Sequence, residues 1–171
     1  KGRLLRLGEN DMLIVEGIHG LNERITESVP EEMKFGIFVS PLTGVCLDRH
    51  NRTSTTDNRF FRRLVRDYRT RGKTPETTIL QWPGVNRGAF EYIFPYQCRA
   101  DAMFNTALVY ELAVLKGYAE PLLRRIPETS PAFGEAQRML TMLRFVPAIP
   151  SDNVPNTSIL REFIGGSCFG D

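Results

Sequence analysis

The first uninterrupted apolar run in the chain is Met12–Val15, inside DMLIVEGIHG (residues 11–20). A run with no polar alternation fits a strand covered on both faces, as in a parallel sheet. FGIFVS, residues 35–40, is a second run of this kind, and NERITESVP between them reads as a short helix ended by Pro30. Strand, helix and strand make a βαβ unit, whose functional edge lies at the C-terminal ends of its strands. From Thr56–Asp57 to Gly72 the pattern turns helical, with Phe60, Phe61, Leu64, Val65 and Tyr68 available to face the protein. TPETTILQWPGV reads as a further helix, with Thr74 as its cap, Pro75 in its first turn and Pro83 near its end. ADAMFNT (100–106) predicts a third short strand. ALVYELAVLKGYAEPLLRRI and PAFGEAQRMLTMLRFV carry apolar residues at helical spacing and predict packing helices. The tail NTSILREFIGGSCFGD predicts a capped short helix stopped by Gly165–Gly166. Neither a repeat nor a convincing linker divides the chain, so residues 1–171 read as a single α/β domain.

Composition narrows this picture a little. With 171 residues the chain is one domain, or a generous part of a larger one. A hydrophobic share of 42% and a charged share of 25% are ordinary for a globular protein. No apolar run approaches the ~20 residues of a membrane helix, and no signal peptide is visible. Cys46, Cys98 and Cys168 are odd in number, far apart and without C-x-x-C spacing. They argue against a disulfide framework or zinc site and for a reducing, cytoplasmic setting. Cys46 reads as a core residue of a helix. The chain opens at Lys1 rather than Met, which fits a piece of a longer product.

Charge changes the picture more. Residues 52–73 hold eight basic and two acidic side chains, a balance of 8 − 2 = +6, whereas the whole chain carries only +2. Everything outside that window therefore sums to −4. A focused basic patch on a mildly acidic protein calls for a localised anion. Arg59, Arg62, Arg63, Arg66 and Arg69 follow one another at three- or four-residue steps and line one helix face. Like charges at this spacing repel unless an anion or a carboxylate intervenes, and Asp67 relieves only part of the row. Guanidinium forks match phosphate oxygens, and a row of them suits a polyphosphate. A solvated basic face is the plain alternative. Nucleic-acid binding is a third reading, weakened because no second basic stripe or set of stacking aromatics accompanies the helix.

Glu16 ends the first predicted strand, before Gly17, where a carboxylate can hold a metal ion or merely cap the next loop. RGKT (71–74) imitates the end of a phosphate loop, but the full pattern needs glycine where Asp67 stands, and a strand before it. No other G-K-[ST] occurs. His19 and His50 have no partner pattern, although His19 lies close enough to Glu16 in sequence to line the same cleft.

Taken in order, LIVEGIHGLN, RRLVRDYRTRG and IFPYQCRADAMFNTAL resemble the second half of the uridine kinase and phosphoribulokinase-like family. The nearest likeness is to a bacterial subgroup that carries threonyl-tRNA-synthetase-like domains ahead of the kinase, and PNTSILREFIGGSCF resembles that subgroup's C-terminus. The resemblance implies the C-terminal part of a P-loop sheet, with an arginine-rich lid helix and a helical C-terminal region. It implies transfer of the γ-phosphoryl of ATP to the 5′-hydroxyl of a pyrimidine nucleoside. Glu16 then corresponds to the Mg²⁺ ligand. Arg62, Arg66 and Arg71 fall to the ATP side, with Arg66 and Arg71 acting in catalysis, and Arg63 and Lys73 fall to the acceptor. The family's phosphate loop and acceptor-activating Asp normally lie upstream of the Glu-Gly strand, and no such motif occurs here. The fragment alone is therefore expected to be inactive, needing an N-terminal half of the kinase. Two other readings keep the fold: a non-catalytic module binding RNA or another polyanion, and a dimerisation unit built on the helical C-terminal third.

Overall fold

The computed structural model describes residues 4–46, 48–50 and 52–169. The arginine-rich segment forms helix α1, Thr55–Thr70. Ser54 caps it, its side-chain oxygen accepting the Asp57 amide at 2.9 Å. Gly72, at φ +62°, lets the chain leave the helix in a conformation that side chains avoid. The turn delivers Thr74, whose side chain accepts the Thr77 amide and opens helix α2, Pro75–Tyr92. Pro83 was expected near the end of this helix, yet α2 runs on through it to Tyr92. Burial of Ile79, Trp82 and Ala89 holds the two halves against neighbours, which offsets the hydrogen bond a proline cannot donate.

Two strands form the sheet among the described residues, β1 (Ile37–Ser40) and β2 (Ala102–Asn105), paired in parallel with Ile37 opposite Ala102. Side chains lock both ends of the pair. Asp101 accepts the Gly36 amide at 2.6 Å, and Asn105 both accepts from and donates to the Leu42 backbone. The crossover between β1 and β2 therefore contains α1 and α2.

Three more α-helices follow among the described residues: α3 (Glu111–Leu123), α4 (Phe133–Leu143) and the short α5 (Arg161–Ile164). The core lies among the helices. Phe60, Phe61, Leu64 and Val65 of α1 meet Trp82 of α2, Leu115 of α3 and Met139 of α4 in one buried cluster. Gly165, at φ +92°, stops α5 as the tail pattern predicts. No helix of the described residues is long and apolar enough to cross a membrane.

The N-terminal expectations fail. Met12–Val15 forms no strand, and its side chains stand more than half exposed. A strand apolar on both faces needs covering layers and neighbouring strands, and β1 and β2 pair only with each other. NERITESVP is not a helix either. It holds one 3₁₀ turn, Glu23–Ile25, capped by Asn22, and a second such turn follows at Glu31–Met33. Ile25 and Val29 stand four apart, but both are exposed, so no buried face holds a longer helix there. Cys46 is exposed, in an antiparallel bridge with Arg52 and not in a helical core.

Candidate anion-binding site

Once α1 buries its aromatic face, its arginines cannot all share one solvent-facing row, and they divide into three groups, with Arg71 and Lys73 of the following turn making a fourth. Arg62 turns inward and is 6% exposed. It pairs with Glu111 at the start of α3, and it donates to Thr106 through Oγ1 at 3.2 Å and the carbonyl at 2.6 Å. Asn58 joins the same Glu111 carboxylate, and the Phe163 ring lies 5.2 Å from the guanidinium carbon. Arg62 was expected among the ATP contacts. Its side chain lines the cleft described below, and four of its hydrogen bonds bind α1 to α3 and to the end of β2.

Arg69 turns towards α5 and donates to the carbonyls of Glu162 (3.0 Å) and Phe163 (3.2 Å). Arg71 and Lys73 gather at the C-terminal turn around Asp67, at 3.4 and 3.9 Å. Lys73 also donates to Gln81 of α2 at 2.8 Å.

Arg59, Arg63 and Arg66, with the inward-turned Arg62 at its base, line a cleft of about 490 Å³. Its opposite wall is α2, with Trp82, Val85 and Tyr92. Phe163 closes one side, and Ile18 and His19 reach in from the N-terminal segment. A turn places those two residues, with the Gly20 amide donating to the Gly17 carbonyl at 3.0 Å, and His19 meets Tyr92 edge-on at 6.1 Å. Glu16 is exposed and immediately precedes that turn.

The cleft is electrostatically unfinished. Burial, and then the charge of Arg63, pull the Arg59 guanidinium below its ordinary value. The Nε atoms of Arg63 and Arg66 are buried without a hydrogen-bond partner. Arg63 Nε does lie 3.2 Å from Asp67 Oδ2, but that oxygen is unpartnered too. The contact is thus an ion pair without hydrogen-bond alignment. Unsatisfied donors and a desolvated cation suit phosphate oxygens, which accept hydrogen bonds and restore the lost charge balance.

Among the described residues no group of three or more His, Cys, Asp or Glu gathers to hold a metal ion. Mg²⁺ commonly needs only one or two carboxylates, taking phosphate and water for the rest. Glu16 offers one such carboxylate, exposed just before the turn that carries Ile18 and His19 into the cleft, and is not itself a lining residue.

Pattern reading missed two contributors. Glu111 is the partner that a buried arginine requires, and its place at the head of a predicted helix gave no sign of that. Phe163 comes from the tail, about a hundred residues from α1 in sequence, and only tertiary structure brings it to the cleft.

The chain is a mixed α/β protein with a small parallel strand pair and an arginine-lined cleft. The model of the phosphoribulokinase / uridine kinase family matches residues 6–112, well over half of the chain, and the chain belongs to that family. The match takes in Glu16, both strands, α1 and α2, while almost all of α3 and everything after it lie outside. No curated protein and no solved structure matches the chain.

Proposed function

We propose that this chain supplies the phosphate-stabilising part of an ATP-dependent kinase whose acceptor is the 5′-hydroxyl of a pyrimidine nucleoside. The carrying observation is the convergence of Arg59, Arg63 and Arg66 on one cleft, with two buried Nε donors unmatched, inside the family-matched residues. Arg66 and Arg71 neutralise the triphosphate, while Arg63 and Lys73 serve the acceptor side. Arg62 is reassigned from contacting ATP to fixing the helix that carries the others. Glu16 would hold Mg²⁺, and the bound ion would neutralise charge on phosphate oxygens. Phosphoryl transfer asks a protein mainly for positioning and charge compensation. The apolar wall of α2 excludes water, and in that dry setting each guanidinium acts more strongly than it would in bulk solvent.

These residues hold no G-x-x-x-x-G-K-[ST] motif. In this reading the phosphate loop and the acceptor-activating carboxylate come from outside the 171 residues. The test is a transfer assay on the gene product that includes this chain, using Mg·ATP and a panel of nucleosides. Phosphorylation of uridine or cytidine is expected, and Arg66→Ala should lower kcat/KM by about 100-fold. Absence of transfer to every nucleoside would overturn the proposal.

A further inference from the structure

Asp67 sits in the last turn of the arginine helix with no exposed surface at all. Four cations surround it. Arg63 Nε lies 3.2 Å and Lys73 Nζ 3.9 Å from Oδ2, while Arg71 Nη1 and Arg66 Nη2 lie 3.4 and 3.5 Å from Oδ1. Its backbone works in the same direction, because its carbonyl accepts the amides of both Arg71 (3.2 Å) and Lys73 (3.1 Å). One residue thus anchors two arginines of the helix and two cations of the turn beyond it. Two of those four, Arg63 and Arg66, line the cleft. Four positive charges against one negative leave a local balance of 4 − 1 = +3, so Asp67 does not neutralise the group. A metal-ligand role is excluded by the same four neighbours, since a cation would have to displace them.

What Asp67 does is direct the group. Alone, four like charges at this spacing would spread apart. The carboxylate draws them together, yet it leaves the Nε donors of Arg63 and Arg66 without hydrogen bonds. Cations held close but unsatisfied are already in place for an incoming anion, so less ordering remains to be done on binding. We propose that Asp67 is a positioning residue for the anion site. It presents Arg63, Arg66, Arg71 and Lys73 together to a polyphosphate and acts only through them. This inference rests on the polyphosphate reading of the cleft.

The prediction runs against simple electrostatics. Neutralising a carboxylate beside a cationic site should strengthen anion binding if that carboxylate were only a competing charge. Positioning requires the opposite. The experiment is calorimetric titration of inorganic triphosphate into the full chain, with Asp67→Asn and Glu162→Gln compared at several salt concentrations. Asn keeps the volume of Asp and the backbone bonds. Glu162, 57% exposed and 3.9 Å from Arg66, supplies the control for charge alone. Asp67→Asn should bind triphosphate about tenfold more weakly. Its affinity should also fall less steeply with salt, because fewer cations engage at once. Glu162→Gln should bind equally well or more tightly. If wild type binds and Asp67→Asn binds as well or better, the positioning role is overturned while the anion site stands. If wild type fails to bind triphosphate, the cleft reading falls and this inference with it. Should Asp67→Asn not fold, Asp67→Glu carries the test, since it keeps the charge but displaces the carboxylate by one methylene. Weaker binding there supports positioning, and unchanged binding overturns it.

Discussion

Arg62 and Arg66 stand four positions apart on one helix and do different work. Both line the cleft, but Arg62 is held by Glu111 and Thr106 beside Phe163, whereas Arg66 keeps a buried Nε without a hydrogen-bond partner. Their substitutions should separate accordingly. Glu111→Ala strands the buried Arg62 charge and should cost about 3–5 kcal/mol of stability, read from the urea midpoint. Arg66→Ala removes a side chain that is 24% exposed, so its effect on that midpoint should be below ~1 kcal/mol, with the loss appearing in ATP binding instead. Spacing alone placed both arginines on a charged face, because a three- and four-residue rhythm records neighbours along the helix. It does not record which neighbour meets another element. That distinction is set by Glu111, which lies 49 positions away in sequence.

Among the elements, α1 was the most legible, since its aromatic and aliphatic positions alternate with cations at helical spacing and its terminating glycine is a local signal, although its cap is Ser54 rather than Thr56–Asp57. The two strands were read from short apolar runs, and what confirms them is that they pair with each other. Met12–Val15 was not, because an unalternating apolar run states only that burial is wanted, and the burying layers lie elsewhere. The docking of α5 onto α1 could not be read from sequence either. It depends on Arg69, which reaches the α5 carbonyls, and on Gly165, whose added Cβ would lie 3.0 Å from the Arg69 Nη1 atom. Gly165→Ala should therefore destabilise the protein by about 1–3 kcal/mol in thermal or urea unfolding, because it meets both the positive φ and the guanidinium. A neutral result would show that α5 is not held as described. At the other boundary, Thr74→Ala removes the cap of α2 and should cost about 1 kcal/mol by the same measurement.

At the scale of the whole molecule, the charge is concentrated on one helix and the apolar wall on its neighbour, so that the two together form a cleft. The sequence showed the concentration plainly, as +6 within residues 52–73 of a chain carrying +2. It did not show the wall, whose residues come from α2, the tail and the turn after Glu16. The same architecture leaves apolar surface uncovered, at Met12–Val15 and at Val39, Met103 and Phe104 of the strand pair. The account as a whole turns on whether the cleft guanidinium groups meet phosphate. The direct measurement is a nitrogen–proton NMR titration of the arginine side chains with Mg·ATP. The Nε–H signals of Arg63 and Arg66 should move together and saturate, while that of Arg62 stays in place. If Arg63 and Arg66 do not move, or if every arginine shifts alike, the cleft is not a phosphate site.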